Sequence, residues 1–299
     1  MTLYTQVAQN RTKTIFYLVV YALLTLAVGY LVSWYFNSPS ILFIFGIITV
    51  IQGLVSYWQS DKIALAVSRA VPLDSTRYAP VYRVVENLTI AAGLPMPRLY
   101  LINDSAMNAF ATGRDAKHAA VAMTSGLLEG LNQNELEGVL AHELSHIGNE
   151  DIRLMSMVMV MAGLIALVSD FFLRSLWWGG GSRRRSEDGD NSGILLIIAI
   201  ALAVLAPIAA TLIQLAISRR REYLADATGV LITRYPEGLI SALKKIASDK
   251  EPLEVANRAT AHMYFSNPLK GQALANLFST HPPITDRIAA LERASGMST

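Results

Sequence analysis

The sequence predicts a helical membrane protein that carries a mainly α, small-sheet (α+β) domain. Three observations predict it. Hydrophobic residues make up 53% of the 299 residues and charged residues only 16%, whereas soluble domains carry about a quarter charged. The apolar residues collect into four long runs arranged as two pairs. The polar stretches beside them have helical or short-strand periodicity, and one holds the pentapeptide His142-Glu143-Leu144-Ser145-His146. The expected division is a transmembrane hairpin over 1–58, a first part of the polar domain over 59–153, a second hydrophobic hairpin over 154–217 and the rest of the domain over 218–299. About four transmembrane helices follow from it.

The first pair comes after a polar start containing Arg11 and Lys13. Ile15–Phe36 is uncharged and long enough to span a bilayer. It ends in Trp34-Tyr35-Phe36, an interfacial aromatic cluster, which favours an uncleaved helix over a signal peptide. Asn37-Ser38-Pro39-Ser40 is a tight turn, and Ile41–Trp58 is the return helix. Lys and Arg flank both ends of the pair (Arg11, Lys13, then Lys62, Arg69, Arg77 and Arg83), and the turn between is uncharged. Positive residues stay on the cytoplasmic side, so both ends, and the domain that follows, are expected there.

In that domain Pro80–Ala92 has the spacing of an amphipathic helix through Val81, Val84, Val85 and Leu88, and Gly93 to Pro97 breaks it. Arg98–Ile102 is a short strand. Ala106–Gly113 and Ala119–Met123 are two more, with a turn at 113–117. An edge of this small sheet is a place where substrate backbone adds as a strand; a purely structural hairpin is the alternative. The pentapeptide then sits on a helix. Asn132 or Asn134 offers an N-cap, and Leu136, Val139, Leu140, Leu144 and Ile147 form its apolar stripe.

His142 and His146 are four residues apart, so on a helix their rings leave the same face. Two neutral imidazoles so placed share one tetrahedral zinc ion. Glu143 stands beside that metal, placed to take a proton from water and pass it to a leaving amine. With no cysteine in the chain, further ligands must be His, Glu or Asp. The net charge of +2 and the lack of a basic, aromatic patch argue against nucleic acid.

Leu154–Val168 opens the second pair but is short for a span, and extending it to Trp178 brings in Asp170 and Arg174. Gly179–Gly193 is a flexible charged loop, and Ile194–Ile217 is a clean apolar run with Pro207 inside. A spanning hairpin would place Arg183, Arg184 and Arg185 outside, against the positive-inside rule; a re-entrant hairpin would avoid this. The length of the fourth run favours spanning. Either way the chain returns to the face it left.

There it meets Arg219-Arg220-Arg221-Glu222-Tyr223-Leu224-Ala225-Asp226. Glu222 completes a His-His-Glu set with one position left for water. Asp226, one turn on, is placed to accept the N–H of a ligating histidine. The plainer alternative has both acids balancing Arg219 to Arg221. A helix beginning near Pro236 packs through Leu239, Ile240, Leu243 and Ile246. Thr280-His281-Pro282-Pro283 opens the last helix; His281 is either a donor to an oxyanion or a capping or buried histidine. His118 and His262 have no partner pattern.

The order and spacing of these features resemble the HtpX family of bacterial membrane zinc metallopeptidases, related to the CAAX prenyl endopeptidases. The resemblance covers nearly the whole chain: the first hydrophobic pair, Asn108-Ala109-Phe110-Ala111, the H-E-x-x-H helix, the second pair, Glu222-x-x-x-Asp226, and His281-Pro282 with Arg287. It implies a gluzincin-type domain on the cytoplasmic face of a bacterial plasma membrane. The implied activity cleaves misfolded or damaged membrane proteins in stress-linked quality control. One Zn2+ per chain would be held by His142, His146 and Glu222, with Glu143 as general base and His281 stabilising the transition state. Arg287 would support the site, and Asn108 and Ala109 would lie on the substrate-binding edge strand. The implied partners are the membrane, unfolded polypeptides and other membrane quality-control proteases. A dedicated processing protease and a catalytically silent zinc-binding scaffold are the other readings; the intact Glu143 argues against the second. An intramembrane protease is disfavoured by the polar residues on both sides of the motif.

Overall fold

The computed structural model describes residues 3–35, 37–163, 219–256, 260–268 and 282–296. The 179–193 loop and the fourth apolar run lie outside them, as do His281 and the third run beyond residue 163. Helix α1 (Leu3–Tyr35) and helix α2 (Pro39–Trp58) form the first hairpin. Asn37 takes a left-handed φ of 45° in the turn, a conformation Asn tolerates better than most residues. Pro39 opens α2 at its first helical position, where no N–H is needed. Among the described residues α2 is the one helix long and apolar enough to cross a membrane; Thr14–Tyr30 of α1 is a shorter apolar stretch. Inside the hairpin, Gln52 of α2 donates to the Tyr21 hydroxyl of α1.

Helix α3 (Ser60–Val67) leads into a four-stranded sheet of order β1-β2-β4-β3. Strands β1 (Val71–Pro72) and β2 (Arg98–Ile102) are antiparallel. Strand β2 runs parallel to β4 (Ala120–Thr124), with Leu99 opposite Val121. Strand β3 (Ala109–Thr112) pairs antiparallel with β4, Ala111 facing Val121, and forms an edge. The expected hairpin is therefore present, and β1 is an addition that two residues of sequence could not signal. Side-chain alternation divides the core. Ile102, Phe110, Ala120 and Ala122 join Ala64, Leu65 and Tyr264 on one face. Leu99, Ala109, Ala111, Val121 and Met123 join the helices on the other. A sheet covered on both faces has buried residues at every position, as β3 and β4 do.

Helix α4 (Ala79–Ala92) is amphipathic and ends at Gly93, whose φ of 65° suits glycine. The short helix α5 (Ser125–Gly130) precedes α6 (Gln133–Gly148), which carries the pentapeptide. Asn132 and Glu135 form a reciprocal capping box at its start. Glu135 also accepts from Ser241 Oγ at 2.6 Å and Lys245 Nζ at 2.7 Å. These belong to a later helix (Pro236–Ser248), so the cap doubles as a tertiary tie.

Helix α7 covers 151–163, and its residues 154–162 are buried. Met159 and Val160 pack into the core on the Phe110 face of the sheet. The start of the third apolar run is thus core of the domain. Helices α8 (Arg219–Thr233), α9 (Pro236–Ser248) and α10 (Ile284–Ala294) complete the described chain. Gly138 lets α6 approach α9: a Cβ there would stand 2.7 Å from the Leu239 nitrogen. Gly229 does the same for α8, where a Cβ would meet the His142 nitrogen at 3.0 Å.

Candidate metal centre

Three elements build the site. Helix α6 brings His142, Glu143 and His146, all buried. Helix α8, held close by Gly229, brings Glu222 and Asp226, also buried. Helix α10 brings Arg287, which is fully buried. A charge so far from water persists only if paired. Its Nε and Nη2 donate to the two oxygens of Asp226 at 2.9 and 2.6 Å, and Nη1 donates to the Phe265 carbonyl at 3.0 Å. The guanidinium also lies over the Phe265 ring, 4.6 Å from its centre.

The two histidine Nε2 atoms are 3.2 Å apart. Glu222 places its oxygens 3.6 Å from His146 Nε2 and 3.7 Å from His142 Nε2. Around a tetrahedral zinc with bonds of about 2.0–2.1 Å, donors stand roughly 3.3–3.4 Å apart. The ligand atoms of the three residues all lie within 4.8 Å of one another. Two imidazoles and a carboxylate at these spacings fit a zinc-sized cation.

Each histidine is oriented from behind. His142 Nδ1 lies 2.9 Å from Asp226 Oδ1 and 3.2 Å from Arg287 Nη2; an Nδ1–H facing the carboxylate leaves the Nε2 lone pair to the site. Phe265 stacks edge-on against the same ring at 4.9 Å. His146 Nδ1 meets Asp151 Oδ2 at 3.1 Å. Burial, and next the positive charge of Arg287, lower the His142 pKa to about 4. Burial acts the same way on His146, but the Asp151 hydrogen bond and the Glu222 charge outweigh it and raise the pKa to about 9. Burial would raise Asp226; Arg287 overcomes it and holds the pKa at about 2. Burial pushes Glu143 up to about 7. A carboxyl tuned near neutrality both accepts and returns a proton at ordinary pH.

The structure thus brings together His142, Glu143, His146, Glu222, Asp226 and Arg287, while His281 lies outside the described residues. Asn108 and Ala109 adjoin the site, but their outer edge is covered by the chain itself. Phe265 N–H donates to the Ala109 carbonyl at 2.8 Å. Asn108 Nδ2 donates to the Ser266 carbonyl at 3.0 Å, and its Oδ1 accepts the Ser266 N–H at 3.2 Å. Sequence reasoning missed Asp151 and Phe265. Asp151 carried only a weak signal, a carboxylate five residues after His146, and Phe265 carried none.

The model of "Peptidase family M48" matches residues 75–295. A protein named protease HtpX homolog from Caldanaerobacter subterraneus is 49% identical over 294 residues, covering 97% of each chain. Namesakes from Thermoanaerobacter pseudethanolicus and Levilactobacillus brevis are 48% and 45% identical, each covering 97% of this chain and 97% and 99% of their own. The crystal structure of S. mikatae Ste24p is similar at a TM-score of 0.49 with 19% identity, covering 97% of this chain and 66% of that one. On the family match and these relatives, the chain belongs to peptidase family M48 and is a membrane metallopeptidase.

Proposed function

We propose that the chain is a zinc-dependent endopeptidase that hydrolyses misfolded or damaged membrane proteins, with one Zn2+ held by His142, His146 and Glu222. The observation that carries this reading is the buried His-His-Glu set with Glu143 adjoining it on the same helix. A bound zinc ion supplies Lewis acidity, which acidifies water and polarises a peptide carbonyl. Glu143 takes the proton of the attacking water and delivers it to the departing amine; a pKa near 7 suits both transfers. Asp226 and Arg287 hold the His142 ring with Nε2 inward. His281 donates a hydrogen bond to the developing oxyanion. Substrate backbone pairs with β3 at Asn108 and Ala109, which requires the 265–266 segment to leave that edge.

The four-helix membrane arrangement and the division at 58, 153 and 217 belong to the same reading. So does a catalytic domain on the cytoplasmic face of a bacterial plasma membrane, supported by the basic residues flanking the first hairpin. Stress-linked quality control, alongside other membrane proteases, is the role these features suit. The test uses detergent-purified protein: zinc per chain and cleavage of casein by wild type, Glu143→Gln and Glu222→Ala. The expected result is one zinc per wild-type chain, zinc without cleavage in Glu143→Gln, and weakened zinc in Glu222→Ala. A folded wild type that binds no zinc, or a fully active Glu143→Gln, overturns it.

A further inference from the structure

We propose that Asp151 is a positioning residue that sets the ring of His146 for metal binding, as Asp226 does for His142. The inference rests on the reading of His146 as a ligand. Asp151 is the first residue of α7, beyond a sharp turn at which Glu150 takes a left-handed φ of 55°. A non-glycine residue there is unfavourable, and the turn breaks the helical path after α6 so that Asp151 folds back under His146. Asp151 is fully buried. Its two oxygens are divided: Oδ2 lies 3.1 Å from His146 Nδ1, while Oδ1 lies 3.7 Å from Nη1 of Arg221. The Oδ2 contact is of hydrogen-bond length and the Oδ1 contact is a looser ion pair. A buried carboxylate paired only for charge would turn both oxygens to the guanidinium; this one gives an oxygen to the imidazole.

The consequence is a fixed tautomer. In the neutral ring that a metal requires, an Nδ1 proton directed at Asp151 leaves the Nε2 lone pair turned toward His142 Nε2 and Glu222. Each ligating histidine thus has its own carboxylate from a different helix, Asp226 on α8 and Asp151 on α7. The Arg221 contact adds a second link. Arg221 directly precedes Glu222, and Asp151 shortly follows His146, so one ion pair joins the two ligand-bearing segments on either side of residues 164–218. The carboxylate therefore holds the ring and the spacing between ligands together.

The test compares wild type with Asp151→Asn, which is isosteric but can present its NH2 group to Nδ1 and reverse the tautomer. Zinc affinity is measured by chelator competition, and cobalt(II) replaces zinc for a visible absorption spectrum. Melting of the metal-free protein serves as the folding control. Weakening by about 10–100-fold is expected, as for other carboxylates behind a ligating histidine, with a changed cobalt spectrum and kcat falling more than KM rises. If Asp151→Asn does not fold, Asp151→Glu decides: it keeps the charge but misplaces it by one methylene, and zinc affinity is again expected to fall. Zinc affinity within twofold of wild type, with an unchanged cobalt spectrum, in the folded variant overturns the inference while leaving the peptidase reading intact. A wild type that binds no zinc overturns both.

Discussion

Replacing Asp226 by Asn tests the ion pair behind the metal centre. Both partners are buried, and both Asp226 oxygens accept from Arg287. Asn keeps the shape but removes the charge, leaving the buried guanidinium only the looser ion pair with Glu222 at 3.9 Å. Breaking a buried pair in this way costs about 3–5 kcal/mol. A second route gives a similar figure. The fall of the Asp226 pKa from 3.8 to about 2 corresponds to roughly 2–3 kcal/mol favouring the ionised form in the folded protein. Because the folded pKa is depressed, that stability is present above pH 3.8 and is lost as pH falls toward 2. The assay is chemical unfolding of detergent-purified protein, held metal-free by a chelator, followed by tryptophan fluorescence. The double variant Asp226→Asn/Arg287→Met discriminates further: removing both charges leaves neither uncompensated, so its loss must be smaller than the two single losses added. A loss below about 1 kcal/mol in Asp226→Asn, or strict additivity in the double variant, would refute the argument.

Three further outcomes are expected. Gly229→Ala places a Cβ 3.0 Å from the His142 nitrogen, and the overpacking of about 1–3 kcal/mol exceeds the roughly 1 kcal/mol gained in helix propensity; chelator competition should show weaker zinc binding, because α8 carries Glu222 outward. Glu135 is held below its ordinary 4.5: burial alone would raise it, but Lys245, Ser241 and the Asn132 N–H outweigh burial. The stability advantage of wild type over Glu135→Gln should therefore be complete above pH 4.5 and shrink as pH drops below it, read from unfolding midpoints across pH. Asn108→Ala removes both hydrogen bonds to the Ser266 backbone and should cost about 1–3 kcal/mol; thermal melting checks this, and a variant as stable as wild type would show that the 265–266 segment is not held there by Asn108.

Much of the site was legible because it is written at short range. H-E-x-x-H needs only a helix to bring two imidazoles to one face, and Asn132 and Glu135 announce where that helix begins. Glu222 and Asp226 share a second helix and are likewise one turn apart. The apolar run at Ile41–Trp58 and its turn at Asn37 to Ser40 are local properties too, and helix α2 follows them. Less legible were contacts with no spacing rule. Asp151 reaches His146 only across the turn at Glu150, and Phe265 reaches His142 from a distant segment. The sequence suggested an open edge at Asn108 and Ala109, yet residues 265 and 266 lie on it. The short strand β1 has two residues and is defined by its partner β2.

What the sequence alone determined, then, is the list of chemical parts: the ligand types, the base, the apolar runs and the caps of individual helices. These depend on the fixed 3.6-residue period and on side-chain chemistry. The tertiary structure decided which parts meet. Gly229 lets α8 approach α6, and there Glu222 stands 3.6 and 3.7 Å from the two histidines. Burial then set the electrostatics, raising Glu143 to about 7 and making Arg287 dependent on Asp226. Such effects arise from low polarity around charges drawn from separate segments, so they exist only once those segments have packed together.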